Sequence, residues 1–264
     1  MIQKRVPIVF NHHLAGASYA VGLECPEIAA EAAPGNFVMM REARPHGYLL
    51  NRPFSIGNVD GDTIEIYYDT VGRATHAFAG LDKGDELDVF GPLGNGFSLD
   101  GDATLNILVA GGIGIAPFPF LAIELAKRKH AARTEILAGF RTSHSAILED
   151  LFDEIGVEYK LATDDGSRGY KGLVTGLLEQ RLDEDAEEKV ALYACGPAPM
   201  LERVAAIAAE RDLFCELSLE QHMACGVGAC LVCACKTRTP DGATAYKMVC
   251  KDGPVFNARD VVFE

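Results

Sequence analysis

Leu105-Asn106-Ile107-Leu108-Val109-Ala110-Gly111-Gly112-Ile113-Gly114-Ile115-Ala116-Pro117 divides this 264-residue chain into two kinds of pattern. Leu105 to Ala110 is a short apolar run, bounded by a glycine cluster, and reads as a buried strand. The glycines that follow sit where such a strand turns into a helix. There they let backbone N–H groups approach a ligand phosphate at the helix N-terminus. The stretch is not a strict G-x-G-x-x-G fingerprint, and a tight strand–helix turn without a ligand would itself need about two of these glycines.

Downstream, strands and helices alternate. A helix is expected through Lys129, a strand over Thr134 to Phe140, and a helix over Ser145 to Ile155. Strand Val157–Ala162, helix Leu173–Arg181, strand Lys189–Ala194, helix Pro197–Arg211 and strand Phe214–Leu219 complete the series. This order predicts a five-stranded parallel sheet with helices on both faces. Cys195-Gly196-Pro197 ends the fourth strand, at the edge where open α/β sheets bind ligands. Pro197 suits the first helical turn, and a buried core cysteine is the plain alternative for Cys195.

Upstream, residues 1–100 are β-rich. Short apolar runs are separated by turn signals such as Pro34-Gly35-Asn36, Asp60-Gly61-Asp62 and Lys83-Gly84-Asp85. A small antiparallel barrel is expected, with one short helix at Thr75 to Leu81. Within it, Arg52-Pro53-Phe54-Ser55 precedes a strand. Arg52 carries a planar fork suited to a pyrophosphate, and Ser55 a hydroxyl able to reach a ring nitrogen.

The last 40 residues hold five of the eight cysteines. Cys225-x4-Cys230-x2-Cys233 is followed, after sixteen residues, by Cys250. The order x4 then x2 is typical of a [2Fe–2S] cluster. Gly226, Gly228 and Ala229 leave room for the backbone to wrap it. Structural zinc uses two close pairs, and only Cys230 and Cys233 make one. A Rieske-type centre needs two histidines on one iron, and none follows His222. Cys235 has no place in the pattern. Pro240-Asp241-Gly242 is expected to form a hairpin turn that brings Cys250 back.

Composition sets limits. The chain is 48% hydrophobic and 23% charged, with a net charge of −14, which argues against nucleic acid or an anionic membrane as partner. Asp183-Glu184-Asp185 and Glu187-Glu188 read as a solvated loop, and His12, His13 and His76 as ordinary polar residues. Clustered cysteines favour metal ligation in a reducing compartment. The N-terminus lacks the apolar stretch of a signal peptide. Ile107–Ile123 is seventeen residues without a charge, but its glycines and prolines fit a strand and a helix better than a membrane span.

R-P-F-S at 52–55, G-G-I-G-I-A-P at 111–117 and C-G-P at 195–197 together resemble the ferredoxin-NADP reductase superfamily. S-L-E-Q-H-M-A-C-G-V-G-A-C-L-V-C at 218–233 narrows the resemblance to electron-transfer subunits of NAD-dependent dihydroorotate dehydrogenase, over essentially the whole chain. The resemblance implies an FAD-binding β-barrel (1–100), an NAD-binding α/β domain (101–217) and a small [2Fe–2S] subdomain (218–264). It implies FAD contacts at Arg52, Pro53, Phe54 and Ser55, at Asp69, Thr70 and Val71, and at Ala74 and Thr75. Ala74 stands where that family usually has glycine, which puts its backbone path in question. Gly111, Gly112, Gly114, Cys195, Gly196 and Pro197 would frame NAD, and Cys225, Cys230, Cys233 and Cys250 would bind iron. The implied partner is an FMN-containing catalytic subunit in a cytoplasmic heterotetramer, two chains of each kind, working in pyrimidine (UMP) biosynthesis. Met223 and Leu231 are expected at the interface with it. A related ferredoxin:NADP oxidoreductase or sulfide dehydrogenase small subunit is the alternative. Arg141, after the second parallel strand, is placed to reach a 2′-phosphate, so NAD against NADP stays open.

Overall fold

The computed structural model describes residues 1–43, 50–128, 132–184 and 188–263. The first element group is β1 (Ile2–Ala15), β2 (Ser18–Glu24), α1 (Pro26–Glu31), β3 (Phe37–Glu42), β4 (Arg52–Ser55), β5 (Asn58–Asp60), β6 (Thr63–Asp69), α2 (Arg73–Ala79) and β7 (Glu86–Leu93). The strands form one antiparallel sheet in the order β4-β3-β7-β1-β2-β6-β5. Side chains alternate across it, so Leu87 and Val89 of β7 turn inward to share a core with Ile64 and Ile66 of β6. The edge strands β4 and β5 are separated in sequence by only Ile56 and Gly57. These bond to opposite flanks, Ile56 N to Asn36 O at 2.9 Å and Gly57 N to Glu65 O at 2.8 Å. The sheet therefore curls until its edges meet, as a barrel must.

The Asp60-Gly61 hairpin forms, with Gly61 at φ +55. Helix α2 starts two residues earlier than the sequence implies. The Thr75 hydroxyl reaches back to accept the Val71 and Gly72 amides at 2.9 and 3.1 Å, which caps the first turn. Helix α1 is too short to show a helical period, yet it buries Ile28 and Ala29 against the barrel.

The second group is β8 (Leu105–Gly111), α3 (Phe118–Ala126), β9 (Arg133–Phe140), α4 (Glu149–Glu154), β10 (Glu158–Thr163), β11 (Tyr170–Lys171), α5 (Val174–Glu184), β12 (Val190–Cys195), α6 (Ala198–Glu210) and β13 (Phe214–Ser218). Alternate residues of β8 serve opposite faces. Ile107 and Val109 pack with α5 and α6, while Leu108 and Ala110 pack with α3 and α4. The chain runs outward from β8 through β9 and β10, then returns to β12 on the other side. The switch point thus lies between β8 and β12. The Ile107–Ile123 stretch divides into β8, a 3-10 turn at Gly112–Ile115 and α3. No helix among the described residues is long and apolar enough to cross a membrane. Lys129 lies outside the described residues. Helix α4 is shorter than expected because Leu148 takes a left-handed φ of 65, which a continuing helix does not allow.

The C-terminal segment adds β14 (Ala234–Arg238), β15 (Thr244–Met248), α7 (Val249–Asp252) and β16 (Val255–Asn257). The expected hairpin is present, β14 against β15, with Gly242 at φ +83. The segment is built into the second sheet. Strand β16 pairs antiparallel with β13. With the short β11 it extends the five parallel strands to a seven-stranded sheet. Cys233, Val249, Cys250 and Phe256 share a core with Leu217 of the sheet and with Met39 and Leu93 of the barrel. Of the acidic run, Asp183 and Glu184 end α5. Glu188 is bonded to Arg181. Asp185 and Glu187 lie outside the described residues.

Candidate functional site

A cleft of about 770 Å³ lies between the barrel and the C-terminal edge of the parallel strands. That volume suits a cofactor-sized ligand. One wall is Arg52 to Ser55 of β4, Tyr67 to Asp69 of β6, and Val71 to Thr75. The opposite wall is Ile113, Ala116, Pro117 and Cys195, and Ser218 to Met223 with Pro254 close it. Phe54 and Tyr68 meet edge to face at 5.9 Å, and Tyr68 meets Phe78 at 6.3 Å, so the barrel wall is aromatic and held in place. Burial raises the Tyr68 phenol well above its ordinary range, and its O–H donates to Asn11.

Most of the residues expected at a flavin line this cleft. Arg52 donates to the Leu50 carbonyl at 2.9 Å. Asp69 accepts from the Ser18 hydroxyl at 2.6 Å. Val71 is 83% exposed at the mouth. Thr70 is the exception, its hydroxyl turned to the Ala17 carbonyl at 3.1 Å. The Thr75 hydroxyl accepts two amides and donates to Gly72 O at 3.1 Å. A hydroxyl offers one donor and two acceptor positions, so Thr75 has none to spare for a ligand. Ala74 sits inside α2, outside the positive-φ residues, with its methyl in the barrel core. Alanine in place of glycine therefore requires no strained backbone here.

At the sheet edge the glycines have separate reasons. A Cβ on Gly111 would lie 2.7 Å from Met200 Sδ and 2.8 Å from Pro197 Cδ, and one on Gly114 would lie 2.3 Å from Cys195 O. Gly112 has φ +55 and open space where a side chain would be. A Cβ on Gly196, at φ +155, would lie 3.0 Å from Gly111 Cα. Cys195 is buried, which pushes its thiol far up. It borders the cleft, whereas Gly196 and Pro197 border a second cavity of about 570 Å³. Gly111, Gly112 and Gly114 line neither.

Leu219, Glu220 and Gln221 stand between the two cavities and line both. Sequence reasoning assigned them no role. Their signal was position alone, directly after the last parallel strand at its ligand-binding end. Glu220 is reached by water because the cleft is open, yet protein surrounds it because the cleft is deep. That partial burial, and next the charge of Asp69, raise its carboxyl above the usual range.

The four expected cysteine ligands gather as two pairs. Cys225 neighbours Cys230, and Cys250 neighbours Cys233. Backbone amides point at the sulfurs, Val227 N to Cys225 Sγ at 3.4 Å, Gly228 N to Cys250 Sγ at 3.1 Å and Cys250 N to Cys233 Sγ at 3.4 Å. Gly226 (φ +73) and Gly228 (φ +80) allow the loop that aims them. Burial raises the Cys225 thiol, but the amides of Val227, Cys230 and Ala229 outweigh it and hold the group down at about 6. Burial and then Cys233 push Cys250 up to about 12. Among the described residues, no three His, Cys, Asp or Glu side chains converge on one point as a single-ion site requires. Two pairs fit a two-iron cluster, in which each iron takes two protein ligands. Cys235 is buried and borders the second cavity, outside both pairs.

Comparison with known proteins agrees with this geometry. Residues 220–262 match the family described as the iron-sulfur cluster binding domain of dihydroorotate dehydrogenase B, and residues 108–206 the oxidoreductase NAD-binding domain. The chain is 40% identical to the dihydroorotate dehydrogenase B (NAD(+)) electron transfer subunit of Geobacillus sp. (strain WCH70), covering 99% of each. It is 38% identical to that of Clostridium perfringens (strain 13 / Type A), covering 90% of each. Among solved structures, that of an NADH-dependent reduced ferredoxin-NADP oxidoreductase superposes with a TM-score of 0.84 and 28% identity, over 97% of this chain and 89% of that one. A ferredoxin NADP+ reductase from Neisseria gonorrhoeae with bound FAD and NADP has a TM-score of 0.65 at 16% identity, over 79% and 91%, and shares the fold. With barrel, switch-point sheet and paired cysteines all in the expected order, the chain belongs to the family of dihydroorotate dehydrogenase B (NAD(+)) electron transfer subunits.

Proposed function

We propose that this chain carries electrons from the FMN of a dihydroorotate-oxidising catalytic subunit, by way of a [2Fe–2S] cluster and FAD, to NAD⁺ in de novo pyrimidine synthesis. One observation carries the reading. His222 and Met223 line the cleft, and Cys225 follows two residues later, so the cleft and the cysteine centre are neighbours along one continuous strand of chain. Bound FAD would supply the exchange between a two-electron hydride and single electrons.

The chain's residues divide the work. Arg52, Pro53, Phe54 and Ser55, with Asp69, Val71, Ala74 and Thr75, form the flavin wall; Arg52 brings positive charge for a pyrophosphate and Ser55 a hydroxyl for the ring edge. The turn Gly111–Gly114 and the loop Cys195–Pro197 frame the nicotinamide nucleotide, their glycines keeping two backbone turns in contact. Cys225, Cys230, Cys233 and Cys250 would hold the two irons of the cluster. Amides aimed at the sulfurs favour thiolates over thiols, which a cluster requires. On this reading residues 1–100, 101–217 and 218–264 are the flavin, nucleotide and cluster segments, and no residue acts as a general base.

The partner surface lies around the cysteines. Leu231 is 63% exposed and Val232 52%, beside the ligands. Exposed apolar side chains grouped at one place mark interaction sites. Met223, in contrast, packs inward and lines the cleft. A complex of two chains of each kind, in the cytoplasm, accords with the family and with thiols kept reduced. The relatives at 40% identity favour this reading over a ferredoxin-NADP oxidoreductase subunit, the solved likeness to which is 28% identical. Affinity purification tests it. An FMN-containing, dihydroorotate-oxidising subunit should copurify with brown-yellow chain, and capture of a different flavoprotein would overturn the assignment.

A further inference from the structure

The connector that leaves the barrel after β7 grips the turn that follows α7. The Asn95 amide donates to Gly253 O at 2.6 Å. Its side-chain Nδ2 donates to Asp252 O at 3.0 Å and to Lys251 O at 3.3 Å. Asn95 also forms an isolated parallel bridge with Pro254. The approach is close. Gly94 has φ +78, and a Cβ there would lie 2.6 Å from Gly253 O and 2.6 Å from Pro254 Cδ. The connector is anchored in turn from the barrel, where Asn36 Nδ2 donates to Gly94 O at 2.9 Å and Asn36 Oδ1 accepts from Ala33 N at 2.8 Å.

What this grip holds is Cys250. Helix α7 has only four residues, too few to be stable alone. Its last carbonyls lack partners within the helix. Asn95 supplies donors to two of them from a segment more than 150 residues away in sequence. On the other side, Cys250 N donates to Cys233 Sγ. Pro254, four residues after Cys250, lines the cleft.

We infer that Asn95 is a positioning residue for the cysteine centre: it caps α7 from the barrel, so that Cys250 and the cleft are held as one body. It touches neither the cleft nor a thiol. The inference rests on Cys250 being an iron ligand, as proposed above. Asn95 is exposed, so water competes for the two carbonyls and the effect of losing the cap is moderate. A hydrogen bond of this kind corresponds to roughly a threefold to tenfold change in a local opening equilibrium.

The test uses the holoenzyme complex with wild-type chain, Asn95→Ala and Asn95→Asp. Cluster loss to an iron chelator is followed by absorbance, FAD retention by fluorescence, and the reduced cluster by electron paramagnetic resonance. Cluster loss is expected to accelerate about threefold to tenfold in Asn95→Ala. It should accelerate more in Asn95→Asp, whose carboxylate would face two carbonyls, and a changed resonance signal should accompany retained FAD. Unchanged release in both variants overturns the inference. So does parallel loss of FAD and cluster, which would make Asn95 a general fold anchor. A wild-type chain without a cluster would instead sink the ligand assignment itself, which keeps the two failures apart.

Discussion

Gly114→Ala probes the contact on which the nucleotide edge is built. A Cβ at Gly114 would stand 2.3 Å from Cys195 O, 2.6 Å from Cys195 C and 2.8 Å from Gly196 Cα. All three are backbone atoms, so no side chain can rotate aside. Ordinary contact requires roughly 3.5 Å, and the 3-10 turn must therefore retreat about 1 Å from the Cys195–Pro197 loop. Overpacking of this kind costs about 1–3 kcal/mol, or roughly 2–12 °C in melting temperature at this size. Displacement of about 1 Å between groups that must align is enough to lower a rate on the order of a hundredfold. In stopped flow, NADH should reduce the flavin of Gly114→Ala about tenfold to a hundredfold more slowly. FAD should stay bound, because β4 and α2 are untouched. Gly112→Ala is the control, since its φ of +55 is strained for alanine but its Cβ meets open space. It should lose about 1–2 kcal/mol of stability through the left-handed backbone, with less effect on the NADH step. Wild-type reduction rate and melting temperature in Gly114→Ala would refute the reasoning.

Cys250→Ser should lose the cluster or hold it unstably with FAD retained, while Cys235→Ser keeps its iron; iron analysis and visible spectra decide, and an intact cluster in Cys250→Ser would put Cys235 in its place. Arg181→Met should destabilise the chain by about 3–5 kcal/mol in urea titration, because Arg181 is a buried partner of Glu135 with bonds at 2.8 and 3.0 Å. Burial raises the Glu135 carboxyl, but Arg181 and Lys160 outweigh it and hold it below the usual range. A depressed folded value stabilises above the unfolded value of about 4 and is lost as pH falls through the folded one. Acid titration of wild-type chain should therefore show this stability disappearing below about pH 4, and a pH-independent Arg181→Met deficit there would contradict it. Leu231→Asp should weaken binding of the catalytic subunit by roughly tenfold to a hundredfold, the value of a buried leucine, without changing cofactor content.

Much of this protein is legible in local pattern. Leu105 to Ala110 announces a strand buried on both faces, the glycine and proline signals place the Asp60-Gly61 and Pro240-Asp241-Gly242 hairpins, and the cysteine spacing marks four thiols suited to a [2Fe–2S] cluster. These features depend on residues a few positions apart, and short-range sterics and periodicity express them directly. The left-handed Leu148, the capping role of Thr75 that leaves its hydroxyl no ligand bond, and the edge strand β16 were not legible in that way. Nor were the shared wall Leu219–Gln221 and the clamp of Asn95 on Lys251 and Asp252. Glu216 accepting from Ser98 at 2.7 Å, across 118 residues, is of the same kind. Such contacts follow only once the barrel has closed and the sheet has formed, because their geometry is set by packing between elements. By itself the sequence determined the barrel, the parallel sheet and the thiols available to a cluster. The tertiary structure decided which surfaces face each other across the cleft, and how firmly Cys250 is tied to it, since burial and close approach belong to the assembled chain.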